Sequence, residues 1–188
     1  MQSALEAIEL VKRFEDNFGT QPLFHRISTG IKELDDANGG IPKGSMTHIY
    51  GEDDVGKSTL GWHATRSAEA SFIIDADRKI NPRLMAKIVG KQELPSLICV
   101  STFREANAII RTASSNSADL IIIDTISAMK ECSNIKPGDL GQLLRSITNT
   151  ETALLLINQT RYSGPMFDRW LQFLCPLSIE VKSRGALY

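Results

Sequence analysis

Between an apolar run at 46–50 and a helical stretch from 57 to about 70 stands Gly51-Glu-Asp-Asp-Val-Gly-Lys-Ser58. It matches G-x-x-x-x-G-K-[ST] at every fixed position, Gly51, Gly56, Lys57 and Ser58, and it lies between strand and helix, the context that motif requires. Successive backbone N–H groups and the positive end of the following helix surround phosphates. Lys57 can reach the β- and γ-phosphates, and the Ser58 hydroxyl can hold Mg²⁺. The nucleotide-binding candidates are Gly51, Glu52, Asp53, Asp54, Val55, Gly56, Lys57, Ser58 and Thr59, with ATP and Mg²⁺ as the expected cofactors. The three acids are tolerable because backbone amides face the ligand in such a cradle, so the side chains can point away.

The rest of the chain alternates in the same way. Apolar strands are expected at 71–75, 97–100, 120–124 and 153–157, with helices at 81–90, 104–114 and 142–149 between them and an alternating, more exposed last strand at 177–182. Strands apolar throughout and interleaved with helices form a mostly parallel sheet covered on both faces. The chain of 188 residues suits one domain, and its 42% hydrophobic content supplies a core. An amphipathic helix is expected at 3–18, where Ser3 and Glu6 read as a capping box and Gly19 as the stop. Residues 1–25 are then an arm and linker, able to pack on their own domain or on a neighbouring subunit, and 26–188 a core. Two longer connections, 130–139 and 161–176, have the length of functional loops.

Composition narrows the setting. The net charge of −1 gives no general case for nucleic acid, so any such surface is a local patch. Three distant cysteines without C-x-x-C fit buried thiols in a reducing compartment. With no signal-like N-terminus and no long apolar run, a cytoplasmic protein without a membrane partner is expected.

Carboxylates sit where parallel strands end, the edge at which such sheets bind ligands. Asp124 ends the run 120–124 and can hold the hydration shell of Mg²⁺, so Ser58 and Asp124 are the metal candidates. Asp77, with Asp75 as runner-up, is a candidate to orient attacking water, or both are turn carboxylates ahead of Pro82. Asn158-Gln159 directly follows the expected strand at 153–157 and either senses the γ-phosphate or caps the strand end.

The segments at 27–60, 72–82 (FIIDADRKINP), 120–129 (LIIIDTISAM) and 154–164 (LLLINQTRYSG), in that order, closely resemble the core of the RecA recombinase family, and the N-terminal helix resembles that family's arm. The resemblance implies a RecA-like P-loop ATPase fold with an N-terminal helical arm, ATP at the interface of a homo-oligomer (filament or ring), and single-stranded DNA as partner. It places the hydrolytic carboxylate on Asp77, where the family has Glu, so the shorter side chain implies slow turnover. It places the γ-phosphate sensor on Gln159 and the DNA loops on about 130–139 and 161–176. DNA-binding candidates are Lys130, Lys136, Arg161, Arg169 and Phe167, although Phe167, Trp170, Leu171 and Leu174 also stand at the helical spacing of core or interface. Lys182 and Arg184 resemble the K-x-R pair inserted into a neighbour's ATP site, or form a solvated tail. Asp53 and Asp54 depart from the family and would weaken nucleotide affinity or face those cations. The chain stops at Tyr188, so the resemblance is to short phage or mobile-element forms lacking the C-terminal domain.

The function implied is a DNA-stimulated ATPase of homologous recombination and repair, in strand exchange or annealing. The alternatives are a regulatory ATPase of the same fold or a ring-motor subunit. Phe103 or Arg104 is expected to cover the adenine.

Overall fold

The computed structural model describes residues 25–90, 94–129, 135–159 and 168–182. Its centre is a six-stranded sheet in the order β5-β4-β6-β7-β3-β8, and every pairing is parallel. The strands are β3 (Met46–Gly51), β4 (Ser71–Asp75), β5 (Ser96–Cys99), β6 (Leu120–Asp124), β7 (Ala153–Gln159) and β8 (Leu177–Glu180). A two-stranded antiparallel ribbon, β1 (Arg26–Ile27) with β2 (Ile41–Pro42), precedes it. The expected sheet is therefore present, and the last strand is its edge, with alternate residues exposed.

The helices divide between two faces. On one, α2 (Lys57–Ala64) and α3 (Pro82–Val89) bury Trp62, Ala64, Met85 and Val89 against Ile49, Ile73, Ile122, Leu155 and Ile157. On the other, α4 (Phe103–Ser115), α5 (Pro137–Ile147) and α6 (168–174) pack on Ile74, Ile121, Ile123, Leu154 and Leu156. Ile121, Ile122 and Ile123 are all fully buried. That is why the strands read as continuous apolar runs: a strand covered on both faces has no solvent side to mark by polarity.

Helix ends explain most differences from expectation. α2 stops at Ala64 and passes into a 3₁₀ turn, Thr65–Ser67, instead of continuing to residue 70. α5 begins at Pro137, five residues before the expected start, because proline is preorganised for a first helical turn. The Asp139 carboxylate accepts the Lys136 N–H at 2.8 Å there, so Lys136 stands at a helix start and not within a long loop. α1 (Lys32–Asn38) has no counterpart in the sequence reading; it buries none of its residues and so carries no apolar period. The second long connection is likewise cut short by α6, where Leu171 is buried and Trp170 and Leu174 pack on the core. The helical spacing read there is thus a packing signal for these three residues. Cys175 is buried, but Cys99 is exposed on the edge strand β5, which corrects the expectation of buried thiols. The expected helix at 3–18 lies outside the described residues.

One buried residue in the sheet is unusual. His48 is fully buried in β3 and stacked on Tyr50 with ring centroids 4.9 Å apart, and among the described residues neither ring nitrogen has a hydrogen-bond partner. Burial pushes its pKa down to about 4, with the Asp168 charge pulling weakly the other way. Since the folded value lies below the unfolded one, the unfolded chain takes up the proton first. Stability present above pH 6.5 then drains as the pH falls toward 4. Between pH 7 and 5 this amounts to about 2 kcal/mol. His48→Leu is expected to lose that much less stability over the same interval, as read by urea unfolding at the two pH values. An unchanged difference would show that the acid sensitivity arises elsewhere.

Candidate functional site

The sheet register sets the site. Asp75 on β4 lies level with Asp124 on β6, Asp124 is level with Ile157 on β7, and Gln159 is level with Gly51 on β3. The ends of four adjacent strands thus form one C-terminal edge. Above it is a cavity of about 450 Å³ lined by Asp53, Asp54, Gly56, Lys57, Ser58 and Thr59 from the glycine loop and α2. Asp77, Asp124 and Gln159 line its other walls.

The loop geometry demands its glycines. Gly51 has φ 150°, and a Cβ there would meet the Val181 carbonyl oxygen at 2.2 Å. The chain leaving β8 therefore passes too close to the loop for any side chain. Gly56, the residue before α2, has φ 96°, a left-handed conformation that only glycine adopts at low cost. Gly61, one turn into α2, lets that helix sit on the sheet: an added Cβ would be 3.1 Å from Ile157 Cδ1.

Lys57 is buried, 5% exposed, and its ammonium donates to the Glu52 carbonyl across the loop. Burial lowers its pKa, while the charges of Asp53, Asp124 and Asp54 act in the opposite direction. Asp53 and Asp54 thus line the cavity close to Lys57, so not every acid of the loop lies away from it. The loop turns at Asp54, which has φ 59°.

The Ser58 hydroxyl donates to Asp124 Oδ1 at 3.0 Å. Asp124 is 3% exposed, and its other oxygen, Oδ2, is buried without a hydrogen-bond partner among the described residues. Burial raises its pKa to about 6; Asp77 and Asp75 add to the rise, and the Ser58 hydrogen bond opposes it. A hydroxyl and an under-satisfied carboxylate side by side are hard oxygen donors, and they fit Mg²⁺ held directly or through its waters. These two residues and the loop amides are the groups that would hold a magnesium nucleotide.

Asp75 and Asp77 divide the tasks weighed for them. The Asp75 carboxylate accepts the N–H groups of Lys79 at 3.3 Å and Ile80 at 3.2 Å, and is 2% exposed. It is a turn carboxylate. Asp77 instead lines the cavity, 15% exposed at its side chain, and pairs with Lys79 at 3.1 Å. Asn158 and Gln159 also separate. Gln159 faces the cavity, whereas Asn158 Nδ2 donates to Asp168 Oδ1 at 2.6 Å at the start of α6.

Other expected residues lie elsewhere. Phe103 is buried in the core at the start of α4, which corrects the adenine contact expected of it, while Arg104 is exposed and does not line the cavity. The capping box of Thr102 and Glu105, with hydrogen bonds of 3.2 and 3.0 Å, fixes the start of α4 and turns Phe103 inward. Lys136 and Arg169 are exposed, and Lys182 pairs with Glu180 at 2.9 Å beside the edge strand. Lys130, Arg161, Phe167 and Arg184 lie outside the described residues. Four lining residues were missed by sequence reading: Trp62, Lys79, Ile80 and Thr125. Trp62 follows Ser58 by four residues, one helical turn, which is a usable signal. Lys79 follows Asp77 by two within one turn, and only the folded turn brings them together.

The family model of the RecA N-terminal domain matches residues 13–169. Among curated proteins, the chain is 33% identical to Protein RecA of Rhodopirellula baltica, over 86% of this chain and 51% of that protein. It is 30% identical to Protein RecA of Aquifex aeolicus, over 85% of this chain and 55% of that one. It is 27% identical to the chloroplastic DNA repair protein recA homolog 1 of Arabidopsis thaliana, over 88% of this chain and 44% of that protein. The chain spans about half the length of these relatives. By the extent of the family match and the order of strands around its glycine loop, the chain belongs to the RecA family.

Proposed function

We propose that this chain is an ATPase that binds magnesium ATP on its glycine loop and single-stranded DNA as an oligomer, in the service of recombination or repair. The observation that carries the reading is the cavity itself. One wall is a phosphate cradle with Lys57 and Ser58, and the others supply Asp124 for the metal, Asp77 for water and Gln159 beside it. Bound nucleotide supplies the phosphoanhydride to be cleaved. The chain's residues hold it, orient water at Asp77 and carry the state of the site to β7 through Gln159.

Two features support oligomers and DNA. The exposed aromatic Phe173, 88% exposed on α6, and the exposed Arg169 stand on the helix next to the second connection. Lys182, with Arg184 beyond it, follows β8, the edge strand of the sheet among the described residues. Both connections carry few charges, so binding along a strand rests on many subunits adding up. No helix among the described residues is long and apolar enough to cross a membrane, which is compatible with work in the cytoplasm.

The test is ATP turnover with and without single-stranded DNA at two salt concentrations. The expected result is stimulation by DNA that weakens as salt rises. The second reading, a regulatory ATPase, draws on the short and ion-paired Asp77, which suits slow hydrolysis. Turnover indifferent to DNA, with no DNA retained on a filter, would select it over the first.

A further inference from the structure

We propose that Lys79 is a cation supplied from within the chain to the terminal phosphate of the bound nucleotide, a role that rests on the nucleotide reading above. The backbone of the turn after β4 is held by Asp75, whose two oxygens accept the N–H groups of Lys79 and Ile80. Arg78 takes a φ of 58° in that turn. With the backbone so fixed, the Lys79 side chain reaches back along the cavity wall, and its ammonium rests 3.1 Å from Asp77 Oδ2.

The place of this ammonium follows from the strand order. The glycine loop leaves β3 and the Lys79 turn leaves β4, with the ends of β7 and β6 between them. The Ser58–Asp124 pair, where the metal fits, lies on α2 and β6, between the loop and the turn. Going along the edge from the loop, one meets the phosphate cradle, then the metal donors, then Asp77 and Lys79. A cation at the far end faces the outermost phosphate, and Lys57 faces it from the near end.

Charge makes the second cation necessary. Asp53, Asp54, Asp77 and Asp124 line the cavity, and among the described residues only Lys57 and Lys79 oppose them there. A nucleotide triphosphate adds several negative charges to four carboxylates. Even with Mg²⁺, one lysine leaves the far end acidic. The terminal phosphate and the Asp77 carboxylate are both charged acceptors, and the phosphate carries more negative charge than one carboxylate, so it competes for the ammonium. When Lys79 turns to phosphate, Asp77 is released from its ion pair and its oxygens are free to accept a hydrogen bond from water. The same residue thus restrains Asp77 before nucleotide binds and frees it when the terminal phosphate is present.

The lysine end of this pair is solvated, with the Lys79 side chain 74% exposed against 15% for Asp77, so the pair contributes modestly to folding. The variants therefore separate ligand contact from structure. The experiment measures binding of ADP and of a non-hydrolysable ATP analogue, each with Mg²⁺, by calorimetry on the full chain, Lys79→Ala and Lys79→Arg. Lys79→Ala is expected to weaken the triphosphate about tenfold and ADP by less than about twofold, with Lys79→Arg recovering most of the loss. The melting temperature without nucleotide is expected to stay the same. Equal losses for both nucleotides, no loss for either, or no recovery by arginine would overturn the proposal. If the unmutated chain binds neither nucleotide, the reading of the cavity as an ATP site fails, and this assignment falls with it.

Discussion

Lys57→Ala is expected to abolish measurable nucleotide binding. Affinity should fall at least about a hundredfold, the scale seen when one member of a buried, charge-assisted hydrogen bond is removed. The side chain is nearly fully buried, and its ammonium is held in place by the Glu52 carbonyl before any ligand arrives. Its position is therefore prepared, and little conformational entropy is lost when phosphate binds. Removing it also leaves Asp53, Asp54 and Asp124 facing one another without that cation, so the cavity repels an anion as well as failing to attract it. Calorimetric titration with magnesium ATP, on protein whose circular dichroism matches the parent, reads the result. Lys57→Ala binding within about threefold of the parent would remove the cavity's claim to be a phosphate site.

How much of this was legible beforehand depends on which physical signal each feature emits. Strands β4, β6 and β7 were visible because burial on both faces writes an unbroken apolar run. The glycine loop was visible because its backbone tolerates glycine alone at Gly51 and Gly56. Ser58 and Asp124 were expected to share a metal, and they meet at 3.0 Å. α1 emitted no signal, since a helix with no buried residue has no apolar stripe. The early start of α5 was not expected because 130–139 reads as one long connection, although proline suits a first helical turn. Phe103 was misplaced for a related reason: the capping box decides which way the first turn faces, and an aromatic after a strand says nothing about that. Lys79 was invisible in kind. Its partner Asp77 is two residues away and past the end of β4, where no strand or helix period announces a pair, and the two meet because Asp75 closes the turn.

Asp124→Asn is expected to stabilise the nucleotide-free protein while weakening its hold on magnesium nucleotide. Asp124 is almost fully buried, and one of its oxygens lacks a hydrogen-bond partner among the described residues, so its charge is costly before a cation binds. Its pKa is raised from 3.8 to about 6. The folded chain therefore binds this proton more tightly than the unfolded one. The group costs stability above pH 6, and that cost is relieved as the pH falls from about 6 to 3.8. At pH 7.5 the cost is about 3 kcal/mol by linkage, and asparagine, which keeps an oxygen for the Ser58 hydroxyl, is expected to recover about 2 kcal/mol of it. Urea unfolding in chelator at pH 7.5 measures the gain, and the gain is expected to shrink toward pH 5. Titration with magnesium ATP is expected to show a loss of ~10–100-fold, the range for groups that hold or orient a metal's ligands. The two effects have one cause. A carboxylate kept ionised in a dry site is unfavourable until a cation arrives, and the free energy released on its arrival adds to binding. A variant that is less stable without nucleotide, or that binds magnesium ATP as the parent does, would show that Asp124 is a structural carboxylate and that the metal is held elsewhere.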